Sequence, residues 1–178
     1  LLPVGPLPMI LHSVNKLVDV KITDIMVITG TEHMGDMISL LGSGDDYDCE
    51  ITYRIQDESD GIAGALSLCK NFARGDSIVV ILGDNIFSNS LSSSIKKFKE
   101  IDSSTKCLLN IVRVNDPERF GVPTIENGKI IKIIEKPGSP DSDYCVTGIY
   151  IYDKNVFNFI NELKTNIIAK PQEVAMDI

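Results

Sequence analysis

The chain has 178 residues, 43% of them apolar, which is enough to bury one core of ordinary size and gives no sign of a second. A formal net charge of −8 excludes a polyanion such as nucleic acid as partner, while nucleotides stay open because they need only local positive groups. No apolar run approaches membrane-spanning length and the opening residues lack the pattern of a signal peptide, so a cytoplasmic protein without a membrane partner is expected.

The chain opens on Leu1-Leu2-Pro3 without Met, and is expected to be a piece of a longer protein. Prolines from Pro3 to Pro8 predict a loop, after which Ile10, Val14, Leu17 and Val18 recur at helical spacing and predict a helix from Pro8 to Val18. Asp24 to Thr29 reads as a short apolar strand closed by Gly30, and Met34 to Leu41 as a helix stopped by Gly42. Gly42-Ser43-Gly44 follows a helix instead of opening one and has no third glycine at the right offset, so no dinucleotide fingerprint is present. Cys49 to Ile55 alternates as a half-buried strand does, and delivers Gln56 to its end. The polar loop Gln56 to Gly61 then leads into a helix carrying Ile62, Ala65, Leu66 and Cys69.

Ile78 to Leu82 is an uninterrupted apolar run that meets Gly83, Asp84 and Asn85, which predicts a buried strand with a carboxylate at its end. In open α/β sheets ligands bind outside the carboxyl ends of the strands, so Asp84 is the candidate metal ligand. An isolated Gly-Asp-Asn would read equally as a turn or cap. A helix on Leu91, Ile95 and Phe98 follows, then a strand from Lys106 to Val114. Beyond Asp116-Pro117 the runs Gly121 to Glu126 and Lys129 to Glu135 flank Asn127-Gly128, the dipeptide of a type I′ hairpin. Tyr144 to Tyr152 is a further strand, Asp153 is placed to cap a helix on Val156, Phe157, Ile160 and Leu163, and the pattern fades from Thr165. Cys49, Cys69, Cys107 and Cys145 are too far apart for a metal knuckle and read as small hydrophobes in a reducing compartment; His12 and His33 fall within helical segments and receive no role.

Taken together, LLPVGPLPMI, IQDESDGIAGAL, LGDNIF, NDPERFGV, IIEKP and DYCVTGIYIYD resemble, in order and spacing, the sugar-phosphate nucleotidyltransferases, and within them the glucose-1-phosphate thymidylyltransferase branch. The resemblance runs from Leu1 to about Leu163. It implies an α/β, Rossmann-like three-layer nucleotidyltransferase fold, with a mostly parallel mixed sheet and an antiparallel hairpin excursion, in which residues 1–178 form a single, incomplete domain. It also implies transfer of a nucleotidyl group from dTTP to glucose 1-phosphate, with Mg²⁺, for cell-surface polysaccharide supply, by a homo-oligomer of the tetrameric kind common in the family.

By the same resemblance Asp84 would hold Mg²⁺ against phosphate oxygens and Asn85 would meet the sugar. Gln56 and Gly61 match the base-reading loop, and Gly121, Glu135, Lys136 and Val146 match the sugar-phosphate site, with Glu135 on hydroxyls and Lys136 on phosphate; Asp84 and Lys136 would carry the catalysis. Phe120 stands where many relatives have Tyr, Leu7 where they have Lys, and Pro171-Gln172 where they have Gly-Glu. The family's Gly-rich loop with Arg, the Lys before the LLP stretch and a second metal-binding Asp in a Trp-Leu-Asp segment are not among these residues, so the isolated chain is expected to turn over weakly or not at all. The alternatives are a non-catalytic sugar-phosphate or nucleotide-binding fragment, and an enzyme using UTP or another sugar phosphate. A glycosyltransferase would usually show Asp-x-Asp, whereas Gly83-Asp84-Asn85 carries one acid.

Overall fold

The structure, a computed structural model, describes residues 2–58, 60–102 and 106–169. Its opening is not a plain loop: β1 (Pro3–Val4) turns through Gly5, at φ 62°, and lies antiparallel to β2 (Leu7–Pro8). The ribbon is tied to the following helix, α1 (Met9–Asp19), where His12 Nε2 lies 2.9 Å from the Val4 carbonyl oxygen. Of the residues whose spacing predicts α1, Val14 and Leu17 are buried and Ile10 and Val18 half-buried, while Leu11 and Ser13 complete the buried face.

Strand β3 (Asp24–Thr29) runs parallel to β4 (Glu50–Ile55), in register from Asp24 opposite Glu50 to Thr29 opposite Ile55. The helix that joins them, α2 (Thr31–Leu41), starts directly after Gly30 and ends at Gly42, whose φ of 55° suits a residue without Cβ. The helix expected after Gln56 is broken into α3 (Gly61–Ser67) and α4 (Lys70–Ala73). The apolar run gives β5 (Ile78–Ile81), followed by α5 (Ser92–Glu100) and β6 (Cys107–Arg113).

Asn127 at φ 49° and Gly128 at φ 74° turn the predicted hairpin between β7 (Gly121–Glu126) and β8 (Lys129–Glu135). The last strand, β9 (Tyr144–Tyr152), lies between β5 and β6 and is antiparallel to both. Helix α6 (Val156–Ala169) runs past the point where the apolar pattern fades. Asp153 does not cap α6 directly; its carboxylate accepts from Asn155 N–H at 2.9 Å and Lys106 N–H at 2.7 Å, joining the approach to α6 to the start of β6. Pro171 and Gln172 lie outside the described residues.

The layers follow from which face each strand residue covers. On one side Ile25 and Val27 of β3, with Val79 and Ile81 of β5, pack into a core with Leu11, Val14 and Leu17 of α1 and Leu41 of α2. On the other, Met26 and Ile28 of β3, with Ile78 and Val80 of β5, join Leu66 of α3 and Phe157 and Ile160 of α6. Helices therefore cover both faces, as a three-layer fold requires. The parallel share of the sheet is smaller than expected. Among the described residues β3 and β4 form the parallel pair, β5, β9 and β6 an antiparallel three-stranded sheet, and the two do not ladder together. For the same reason β5 is half-buried along its whole length instead of buried, since it has a ladder partner on one edge only.

Candidate active site

At the end of β5 the backbone stays tied to β9, with Leu82 N–H donating to Gly148 C=O at 2.8 Å, and then turns, with Asn85 N–H donating to Leu82 C=O at 3.0 Å. That turn puts Asp84 in solvent. The Asn85 amide spans the turn: Nδ2 donates to Asp84 Oδ1 at 2.8 Å, and Oδ1 accepts from Gly148 N–H at 2.8 Å. Gly148 has no room for a side chain, because a Cβ there would lie 2.8 Å from Leu82 Cβ and would run into the Asn85 amide. Asn85, expected to meet a sugar, has its amide engaged at both ends and orients Asp84.

The hairpin supplies a second group. Gly121 lies opposite Glu135, and a Cβ on Gly121 would be 3.2 Å from Glu135 Oε2 and from Ile133 Cγ2, so the missing side chain leaves space for that carboxylate. Lys136 N–H donates to Phe120 C=O at 3.0 Å, and its own backbone is left-handed at φ 46°. Its Nζ is 3.8 Å from Glu135 Oε1, with both side chains largely exposed, so an acid and a base are offered side by side to solvent. The Arg119 guanidinium lies over the Phe120 ring, 5.7 Å from its centre.

Tyr150, which the sequence reading passed over, is half-buried within the electrostatic influence of both groups. Burial pushes its phenol up from the usual value, and the charges of Glu135 and then Asp84 push it further the same way, so both carboxylates act on this hydroxyl. β9 is irregular on this stretch, its pairing with β6 shifting register between Val146 and Tyr150, so alternation along the sequence did not mark Tyr150 out. Val146 is half-buried, opposite Ile111 of β6.

The third group sits at the end of β4. Gln56 N–H donates to Thr29 C=O at 3.0 Å, fixing the side chain at the strand end, where Nε2 donates to Asp60 Oδ1 at 2.6 Å and Gly61 C=O at 3.2 Å. Gly61 starts α3 at φ 78°, a conformation that favours glycine. Asp60 and Gly64 were also passed over: the Asp60 carboxylate fills the space that a Cβ on Gly64 would need. Ser59, within the same loop, lies outside the described residues. Gln56, Gly61 and Gly83 border one cavity of about 850 Å³, which brings the β4 loop to the strand end that carries Asp84.

Comparison with known proteins shows the family and the fold. The pattern of the nucleotidyl transferase family matches residues 1–174. The chain belongs to that family. It is 38% identical, over 92% of its length, to the glucose-1-phosphate thymidylyltransferase of Neisseria meningitidis, of which it covers 57%. A crystal structure from Bacillus anthracis, assigned as a glucose-1-phosphate thymidylyltransferase and solved with sucrose, superposes at a TM-score of 0.86 with 53% identity, over 92% of this chain and 65% of that one. A UDP-glucose pyrophosphorylase solved with UDP-glucose superposes at 0.74 with 20% identity over 90% of this chain and 70% of that one, a likeness of fold alone. The nucleotidyl transferase chain thus spans little more than half the length of its curated thymidylyltransferase relative.

A divalent cation fits what is present, with one restriction. Asp84 offers an exposed carboxylate with one oxygen held by Asn85, which suits a small hard cation that keeps most of its water. Among the described residues no group of three or more His, Cys, Asp or Glu gathers to hold a metal unaided. Phosphate oxygens would have to complete the shell.

Proposed function

We propose that this nucleotidyl transferase acts on dTTP and glucose 1-phosphate, giving dTDP-glucose and pyrophosphate, and that residues 1–178 carry the base-reading and sugar-binding parts of the site. The observation that carries the reading is the exposed Asp84 at the end of β5, whose carboxylate is fixed through Asn85 to β9. The identity to thymidylyltransferases supports the choice of substrates.

The reaction asks the protein to place two polyanions in line. A phosphate oxygen of the sugar phosphate bonds to the α-phosphorus of the triphosphate, and the bond to the departing pyrophosphate breaks. Gln56, whose Nε2 is held by Asp60 and Gly61, would present its side-chain oxygen as acceptor to the ring N–H of the thymine, with Gly61 giving the base close approach to the backbone. Glu135 would accept from sugar hydroxyls, and Lys136 would meet the sugar's phosphate and offset its charge. Val146 and Gly121 would bound the ring. Asp84 would hold Mg²⁺, which when bound neutralises charge on the phosphate oxygens. Asn85 would keep that carboxylate in one orientation.

Production of a dTDP-sugar precursor for polysaccharide, in the cytoplasm and by a homo-oligomer, completes the reading; the free thiols of Cys49, Cys69, Cys107 and Cys145 accord with a reducing compartment. No described helix is long and apolar enough to cross a membrane. The test is Mg²⁺-dependent release of pyrophosphate from dTTP and glucose 1-phosphate by a protein carrying these residues at the family's full length. Release abolished by Asp84→Asn supports the reading, and release unaffected by it removes Asp84 from the chemistry. The chain on its own is proposed to bind without appreciable turnover, which dTDP-glucose synthesis by it would contradict.

A further inference from the structure

Beside Gly148 the pairing of β6 with β9 is irregular. Leu109 pairs with Tyr150 and Ile111 with Val146, so the single residue Asn110 faces three residues of β9, Thr147, Gly148 and Ile149. Surplus residues bend a strand away from its partner and break the ladder, and the backbone groups so freed need other partners. Asn110 supplies bonds to both outer members of the trio. Its C=O accepts from the Thr147 hydroxyl at 2.9 Å, and its Nδ2 donates to Ile149 C=O at 3.2 Å. Ser94 of α5 fixes the sense of the amide, its Oγ donating to Asn110 Oδ1 at 2.8 Å. The Ile149 carbonyl can only accept, so the NH₂ end must face β9 and the oxygen must face Ser94.

The other edge of the same trio holds the Asp84 turn. The β5–β9 register is regular from Ile78 opposite Tyr152 to Ile81 opposite Ile149, and Leu82 N–H extends it to Gly148 C=O. There the ladder changes character: Leu82 C=O accepts from Asn85 N–H, and Gly148 N–H donates to Asn85 Oδ1, whose amide nitrogen holds Asp84 Oδ1. Gly148 is thus bonded to Asn85 on one side and flanked in the chain by the two residues that Asn110 grips on the other. Gly148 and Ile149 are buried and Asn110 is half-buried, where a lost hydrogen bond costs more than at the surface. The amide is not needed for the strand itself, since Leu109 and Ile111 on either side show that apolar residues serve β6.

We propose that Asn110 is a positioning residue for the candidate metal site. By clasping Thr147 and Ile149 it sets where Gly148 lies in the bulge, and through Gly148 and Asn85 it sets the orientation of the Asp84 carboxylate. Ser94 acts one step further out, by keeping the Asn110 amide from turning over. Asn110 itself touches neither the carboxylate nor the metal position, so its effect is on geometry alone. The consequence for turnover rests on the role proposed for Asp84, whereas the chain of bonds can be tested without it.

The first arm of the test follows the full 178-residue chain by NMR in Asn110→Leu, which is close in shape and lacks the amide, and in Ser94→Ala. In Asn110→Leu, exchange of the Gly148 N–H should speed roughly fivefold to tenfold, about the effect of one hydrogen bond, and the Asn85 side-chain amide signals should move, while the β3–β4 pair and the β7–β8 hairpin are unchanged. Ser94→Ala leaves the Asn110 amide present but free to turn. It should move the same signals by less, and it decides the question if Asn110→Leu does not fold. The second arm measures Mg²⁺-dependent pyrophosphate release in a protein carrying these residues at the family's full length, where Asn110→Leu should raise the Mg²⁺ requirement several-fold, roughly as a lost outer-shell partner does. Unmoved Gly148 and Asn85 signals in both variants would overturn the proposal, as would faster exchange spread evenly over β5 and β9, the mark of a merely structural residue. An unaltered Mg²⁺ requirement would overturn the link to the metal. Absence of release from the parent protein would count against the reaction proposed above, and the first arm would then decide the role of Asn110 alone.

Discussion

The side-chain oxygen of Asn85 accepts a hydrogen bond from the Gly148 N–H at 2.8 Å, so the turn that carries Asp84 is bolted to the middle of β9. The other end of the same amide holds Asp84 Oδ1. Replacing Asn85 with Ala frees the carboxylate without removing it. In a protein carrying these residues at the family's full length, pyrophosphate release should fall by roughly tenfold to a hundredfold, the usual effect of losing a group that orients a metal ligand, and the Mg²⁺ requirement should rise. Loss without any change in Mg²⁺ dependence would place Asn85 on the sugar instead.

Gly148→Ala tests the same contact from the opposite side. The new methyl would meet Leu82 Cβ at 2.8 Å and the Asn85 amide, so the turn must shift. A destabilisation of about 1–3 kcal/mol is expected, measured by urea unfolding, together with lost activity. A variant of wild-type stability and activity would show that the turn yields freely.

Lys136 separates strain from charge. Its φ of 46° suits glycine better than any residue with a Cβ. Lys136→Gly should therefore be about 1 kcal/mol more stable than Lys136→Ala, while both raise the KM for glucose 1-phosphate alike. Different KM values for the two variants would mean that backbone geometry, and not the ammonium group, governs sugar-phosphate binding.

Tyr150 gives a pH dependence with a definite sign. Burial, Glu135 and Asp84 all raise its phenol above the ordinary value of 10.0, so the fold favours the protonated form. The stability this contributes is complete below pH 10, the value in the unfolded chain, and is lost as pH climbs from there through the higher native value. Glu135→Gln and Asp84→Asn should each lower the Tyr150 titration midpoint, followed by carbon NMR of labelled tyrosine. A midpoint indifferent to both would detach Tyr150 from the site.

Much of this was legible in the sequence where local chemistry alone decides structure. Asn127-Gly128 dictates its hairpin, the helical spacing of Ile10, Val14, Leu17 and Val18 dictates α1, and the apolar run ending at Gly83 dictates where Asp84 is delivered. Features that depend on partners distant in the chain were not. Asn85 reads as a sugar contact until Gly148, far along the chain, is placed beside it. Nothing local marks Tyr150 as a phenol raised by burial and by the charges of Glu135 and Asp84, and nothing local to Ile78–Ile81 tells that one edge of that strand lacks a ladder partner. The unexpected break after Ser67 separates two short helices that both pack toward α6.

Gln56 should discriminate the substrates. Its amide is held by Asp60 and Gly61 at the β4 end, remote in sequence from the hairpin that carries Glu135 and Lys136. Gln56→Ala is expected to weaken dTTP binding by roughly tenfold, about one good hydrogen bond, with glucose 1-phosphate binding little changed. Equal losses would move Gln56 out of the base-reading loop.

The groups at Gln56, Asp84 and Glu135–Lys136 are proposed to form one nucleotide-sugar site. Titrating the chain with dTDP-glucose in Mg²⁺, while following amide shifts by NMR, decides this. Saturable shifts are expected at Gln56, Gly61, Asn85, Gly121 and Lys136, sharing one dissociation constant that Asp84→Asn weakens. Shifts confined to one group, or separate constants for the β4 loop and the hairpin, would contradict it.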